Sequence, residues 1–240
     1  MPAKQRKDES DMPAPHILST DVDMALRGAQ QAWKRCCSDY DAYAMNSERC
    51  LQAAFYFHLR TALQKAGYTI YIEAKVIVPS PAGSKIAKGA APPKVRNIFI
   101  DTLICKNNKI VLAVELKYKP KSKSSAIEIT KDLTSLSHMR NQVLEGKMLS
   151  VELARHTASK ENGALRLRIS PDARMLLGIF ARSSYVDQLT EEEFWAAHPL
   201  PESARWATHK GKRLPPRLGL CLASAQGSKA IPTWMGRPFE

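Results

Sequence analysis

The chain is short of several things that would announce a function. None of its 240 residues belongs to an apolar run approaching the ~18 to 20 residues of a membrane span. The polar N-terminus (Lys4, Arg6, Lys7, Asp8, Glu9, Ser10) lacks the apolar stretch of a signal peptide. Cysteine is sparse: Cys36, Cys37, Cys50, Cys105 and Cys221 form no C-x-x-C pair. An odd, scattered set argues against a disulfide framework or a zinc site and fits thiols in a reducing cytosol. The expectation is a cytoplasmic, intracellular protein with no membrane partner. The histidines His16, His58, His138, His156 and His198 have no metal-ligand spacing, and His58 is expected to pack on its helix. There is no Ser-His-Asp order, Walker loop, dinucleotide fingerprint or internal repeat.

What is abundant is positive charge. Lys and Arg number 36 against 23 Asp and Glu, a formal net charge of +13. Such an excess speaks of attraction to polyanions, not of fold. Nucleic acid is the expected partner, ahead of an anionic membrane surface. Hydrophobic residues at 44% and charged residues at 25% are ordinary for a globular chain. At this length one substantial core is expected.

Taken in order, residues 1–20 read as a disordered tail. Residues 21–37 have helical spacing in Met24, Ala25, Leu26, Ala29, Ala32 and Trp33. Asn46 or Ser47 then looks like an N-cap, with Glu48 in the first turn of a helix that runs through Leu51, Phe55, Leu59 and Leu63 to Gly67. Residues 68–78 read as a strand, followed by a loop rich in Gly, Pro and Lys to Pro93. Lys85, Lys88, Lys94 and Arg96 make that loop a candidate clamp on a phosphate backbone. Beyond the central hairpin, residues 130–145 read as a helix, with Gly146 interrupting before further helical turns. Residues 165–169 alternate like an edge strand, Ser170-Pro171-Asp172 reads as a turn, and 175–181 as a buried strand. A capping box from Thr190 to Glu193 suggests a short helix over 190–197, and a last apolar run covers 218–223.

The stretch from Val95 to Tyr118 organises the rest. Ile98, Phe99 and Ile100 run into Asp101; a second apolar strand follows the Asn107-Asn108 turn and carries Glu115, Leu116 and Lys117. Carboxylates in a half-buried sheet cost several kcal/mol unless they are paired or bound to a cation. With a simple two-residue turn Asp101 would oppose Val114 and leave Glu115 on the wrong face. A three-residue loop (Asn107, Asn108, Lys109), or an equivalent bulge, would place Asp101 opposite Glu115, with Lys117 on the same face. Two facing carboxylates repel unless a proton or cation intervenes, and a hard divalent ion such as Mg²⁺ prefers their oxygens. Such an ion polarises a phosphodiester and lowers the pKa of a bound water. Lys117 would orient or deprotonate that water, or neutralise charge on the phosphate. Glu48 would complete the cluster if its helix packs with the N-terminus over the sheet.

These residues carry a family likeness. Glu48 in a helix, Ile100-Asp101 in the second strand and Glu115-Leu116-Lys117 in the third resemble the PD-(D/E)XK nuclease superfamily, with Ile100 where Pro is usual. The likeness covers about residues 47–181 and implies an α/β, restriction-endonuclease-like αβββαβ core, a mixed sheet flanked by helices. On that likeness 21–182 form the nuclease domain and 183–240 an extension packed on or trailing the core. It implies a Mg²⁺-dependent deoxyribonuclease, endonuclease ahead of exonuclease, with Mn²⁺ as a substitute. Asp101, Glu115, the Leu116 carbonyl and Glu48 would be metal ligands, and Lys117 would assist the water.

Blander readings stand beside this one. An E-x-K triplet alone arises by chance in basic chains, a lone strand Asp is more often an edge residue, and an acid in a first helical turn is often structural. Lys119, Lys121 and Lys123 form a basic loop whose functional reading is phosphate positioning, as are Lys94 and Arg96. Lys131 and Asp132, at the start of the next helix, would add to it. Arg140, Asn141 and the cluster His209, Lys210, Lys212, Arg213 carry less weight. Cutting both strands of a duplex needs two sites, which a homodimer would supply. The rival is an inactive nucleic-acid-binding or assembly module that keeps the fold.

Overall fold

The structure is a computed structural model, and it describes residues 20–79, 95–120, 126–144, 148–152, 165–190 and 218–235. The tail through residue 19, the loop with Lys85, Lys88 and Lys94, the pair Lys121 and Lys123, and residues 191–217 lie outside the described residues, and with them the expectations for those segments.

The element order is α1 (Thr20–Asp41), α2 (Glu48–Leu63), β1 (Thr69–Pro79), β2 (Val95–Lys106), β3 (Lys109–Lys119), α3 (Ala126–Leu144), β4 (Met148–Glu152), β5 (Leu165–Arg182), α4 (Ser183–Thr190), β6 (Leu218–Gln226) and β7 (Lys229–Met235). The class is mixed α/β, with seven strands in the order β3-β2-β1-β4-β5-β6-β7. β3 also pairs with β5. The ladders β1–β2, β2–β3, β3–β5, β5–β4 and β4–β1 therefore close a circuit of five strands. The β3–β5 and β5–β6 pairings are parallel and the others antiparallel.

Two apolar cores follow from this curl. Between the sheet and α3, the helix residues Ile129, Leu133, Leu136 and Met139 meet Val76, Ile100, Leu103, Met175 and Leu177. On the other side α1 and α2 cover Ile104, Leu112, Val114, Leu116, Leu176 and Phe180. The small residues Ala25, Ala29 and Ala32 let α1 approach closely, and Trp33 is sealed beneath it with its indole N–H donating to the Leu222 carbonyl at 3.1 Å. Gly178 of β5 is needed here: a Cβ would come within 2.7 Å of Leu116 and 2.9 Å of Trp33.

Several local expectations are revised. Residues 148–152 form a strand, not further helical turns, because Leu149 and Val151 alternate into the core and the segment bridges β1 to β5. Residues 165–169 are no edge strand: 165–182 form one strand, paired on both sides. Ser170 to Ala173 are accommodated as a bulge opposite Val111, where the missing N–H of Pro171 breaks no ladder. α3 begins at Ala126, so Lys131 and Asp132 sit in its second turn and not at its N-terminus. Thr190 is the last described residue of α4, and the rest of the helix expected over 190–197 lies outside the described residues. His58 does not merely pack on α2; it meets Asp39 at 2.7 Å and braces α2 to α1. β6 and β7 belong to the sheet, β6 pairing with β5 from Met175 to Arg182 and sending Leu218, Leu220 and Leu222 into the α3-side core.

Candidate active site

The hairpin geometry turns on one residue. Lys106 pairs with Lys109, so the turn holds two residues, Asn107 and Asn108, both with positive φ (50° and 60°). Asn tolerates that conformation, which suits a primed hairpin turn. The register then slips: Cys105 pairs with Ile110 but Ile104 with Leu112, leaving Val111 unpaired with β2. That bulge, and not a three-residue loop, brings Thr102 opposite Val114 and the next residues, Asp101 and Glu115, face to face.

Beyond Thr102–Val114 the β2–β3 ladder stops, while β3 continues along β5 to Lys119. The two strands fork, and acids fill the fork. The amide of Leu116 donates to Asp101 Oδ2 at 2.7 Å, and that of Tyr118 to Glu48 Oε2 at 3.3 Å. In a ladder the amide and carbonyl of one residue point to the same edge, so the Leu116 carbonyl also faces the fork. Glu48 is placed by the start of α2, where Ser47 caps the helix by accepting from the Cys50 amide at 3.2 Å. One turn further, Gln52 donates to Asp101 Oδ1 at 2.9 Å. Tyr118 packs its ring on Phe180 and donates to the Met45 carbonyl at 2.9 Å, fixing the end of β3 against the segment before α2.

Lys117 projects between two acids from different helices, 3.7 Å from Glu48 Oε1 and 3.3 Å from Asp132 Oδ2. Asp132 is only 7% exposed and Glu115 6%. Glu48 and Asp132 thus pair with the ammonium, and the acids Asp101 and Glu115 lie nearby on the same side of the sheet. Burial pushes Glu115 well above the usual carboxylate range, and the nearby Asp101 and Asp132 add to the push. Burial raises Asp101 too, against the opposing hydrogen bonds from Leu116 and Glu115. Asp132 is lifted by burial to about 6, although Lys117 pulls it down. Burial alone would lower Lys117, but Asp132 and Glu48 carry it above its ordinary value. The Asp101–Glu115 pair therefore favours one shared proton, resident on Glu115, and Lys117 is held as a cation.

The structure gathers Glu48, Asp101, Glu115 and Lys117 into one cluster, with the Leu116 backbone at its edge. Gln52 and the acid of Asp132 are members that the sequence reading did not assign to the site. Gln52 lies four residues after Glu48 and so shares its helical face, a signal that could have found it. Of the expected phosphate contacts, Lys131 is exposed on α3 and Lys119 is half-buried at the end of β3. Arg96 lies in β2 opposite Val78, with its side chain outside the described set. Lys94, Lys121 and Lys123 lie outside the described residues.

Among the described residues no group of three or more His, Cys, Asp or Glu is arranged to hold a metal ion. Glu48 turns to Lys117 and the Tyr118 amide instead of to the Asp101–Glu115 pair. The donor chemistry of the pair still fits a hard divalent cation: Mg²⁺ is commonly held by one or two carboxylates, with water and substrate phosphate completing its shell. Asp101 accepts from Gln52 at one oxygen and from the Leu116 amide at the other, and also accepts from the protonated Glu115, so a cation there would take the place of the Glu115 proton. Comparison with protein-family models, curated proteins and solved structures returned no match. No described helix is long and apolar enough to cross a membrane.

Proposed function

We propose that this chain is a metal-dependent nuclease with a restriction-endonuclease-like core, hydrolysing phosphodiester bonds in DNA. The observation that carries the reading is the fork: Asp101 and Glu115 face each other where β2 and β3 part, with Lys117 beside them. A buried pair of this kind is destabilising in isolation, so it is the sort of arrangement that function retains. The net charge of +13 supports a polyanionic substrate.

Asp101, Glu115 and the Leu116 carbonyl would hold Mg²⁺ or Mn²⁺. When bound there, the ion supplies electrophilic activation of the phosphodiester and a more acidic water. The chain's own residues do the rest. Gln52 and the Leu116 amide fix the orientation of the Asp101 carboxylate. Lys117, kept charged by Glu48 and Asp132, offers an ammonium to the charge that develops on phosphate. That charge state favours the electrostatic role of Lys117 over removal of a proton from water.

The opposing reading is a nucleic-acid-binding or assembly module without turnover. One observation favours it: Lys117 is already paired with two acids. Cleavage assays on linear duplex, branched and single-stranded DNA, with RNA as control, decide between them. Turnover that needs Mg²⁺ or Mn²⁺ and disappears in both Asp101→Ala and Lys117→Ala supports the nuclease. Binding without cleavage of any substrate, with either ion, supports the module. Sedimentation of the free and DNA-bound chain tests the homodimer.

A further inference from the structure

We propose that Asp132 is a positioning residue of this site, which, working opposite Glu48, clamps the Lys117 ammonium in place across the mouth of the Asp101–Glu115 pair. The inference rests on the nuclease reading for its catalytic consequence, but its structural content stands separately.

Three observations point to it. Asp132 is a carboxylate 7% exposed in a helix whose neighbours Ile129, Leu133 and Leu136 all belong to the apolar core. A charge at such a position is costly unless a partner holds it. Its Oδ2 lies 3.3 Å from Lys117 Nζ and yet, buried, accepts no aligned hydrogen bond. The oxygen is therefore aimed at the ammonium without the saturated geometry of a closed structural ion pair. Finally, the two acids that flank Lys117 come from helices in different layers, Glu48 from α2 and Asp132 from α3. The long lysine side chain, which would otherwise sample many rotamers, is held from both sides.

Glu48 and Asp132 are not equivalent in this clamp. Glu48 also accepts from the Tyr118 amide, so it is tied to the strand edge whether or not Lys117 is present. Among the described residues Asp132 Oδ2 has no such second tie and faces Lys117. Its removal should release the lysine without undoing the fork. The electrostatic contribution of Lys117 depends on a fixed location, since a small misplacement of a reacting group costs rate heavily.

The test compares wild type, Asp132→Asn and Asp132→Glu. Lysine acetylation by brief exposure to acetic anhydride, read by mass spectrometry and normalised to the exposed Lys65, reports the restraint on Lys117 without requiring turnover. In Asp132→Asn, labelling of Lys117 should rise about 2- to 5-fold, the factor expected for loss of one ion pair. In the cleavage assay the same variant should lower kcat about 10-fold or more with little change in KM. Asp132→Glu, which keeps the charge, should recover part of both, an effect that a purely structural role would not show. Equal Lys117 labelling in wild type and Asp132→Asn overturns the proposal, and so does an unchanged kcat in a cleaving enzyme. If wild type cleaves nothing while labelling responds as described, the nuclease reading falls and the clamp stands. Should Asp132→Asn fail to fold, Asp132→Glu carries the comparison: the longer acid must alter Lys117 labelling, and no alteration overturns the clamp.

Discussion

The core under α1 and α2 and the fork at Asp101 use the same strand, β3, and treat polar groups in opposite ways. Around Trp33 the packing is apolar and its few polar atoms are matched: the indole N–H meets the Leu222 carbonyl, and the Tyr118 hydroxyl meets Met45. Phe55 and Phe180 lie against Trp33 with ring centroids 6.3 and 6.2 Å away. A few residues on, two carboxylates hold one lysine beside the Asp101–Glu115 pair, and a buried oxygen of Asp132 accepts no aligned hydrogen bond. One region lowers the free energy of folding; the other raises it. On the proposed nuclease reading, the second region is kept for a ligand outside the chain.

The contrast can be broken most forcefully at the fork. Asp101→Ala and Lys117→Ala should each reduce nucleic-acid cleavage about 10²- to 10⁴-fold, while circular dichroism shows an intact fold. If either loses its fold together with its activity, the acids are structural and the contrast dissolves. Trp33→Ala probes the other side: about 3–5 kcal/mol of stability should vanish in a denaturant titration. Gly178→Ala should cost about 1–3 kcal/mol by forcing Leu116 and Trp33 apart.

Smaller effects sharpen the same comparison. Glu115→Gln keeps a donor to Asp101 and removes the need for Glu115 to take up a proton on folding, so it should stabilise the metal-free chain at neutral pH. A gain of about 1 kcal/mol would appear as about 2–4 °C in Tm. Conversely, Mg²⁺ at 100 times its Kd should stabilise wild type by about 2.7 kcal/mol and leave Asp101→Ala unmoved. A Tm shift of equal size in both would place the cation elsewhere. A further effect concerns pH. Asp132 is raised from 3.8 to about 6 in the folded chain, so the native state binds more protons than the unfolded one between those values. Its contribution to stability is present below about pH 4 and is lost as pH rises through about 6. Asp132→Asn should flatten that part of the stability profile; an unchanged slope would show that the group titrates normally.

How much of this was legible in the chain itself differs between element and arrangement. The helical spacing of Leu51, Phe55 and Leu59 and the Ser47 cap are local signals, and α2 forms where they indicate. The apolar run at 175–181 likewise reads as a buried strand because both its faces are covered. Residues 148–152 misled: a five-residue segment carries too few periods to tell strand from helix, and its pairing with β1 and β5 decides. Asp132 was placed beside Lys131 at a helix start, but with α3 starting at Ala126 it is carried round into the fork.

The sequence by itself determined which residues are acids, where the apolar periods change from two to about 3.6, and that Asn107-Asn108 turns the chain. It also supplied the requirement that Asp101 and Glu115 can meet only if one extra residue is inserted into the hairpin. Tertiary structure decided where that residue goes. The bulge at Val111 lies opposite the irregular stretch 170–173 of β5, a strand separated from it by more than fifty residues. Register is set by the partners on both edges of β3 at once, and the identity of those partners is not encoded in any local window. The same holds for the clamp on Lys117, whose two acids come from helices on different layers and meet only when the sheet between them is complete.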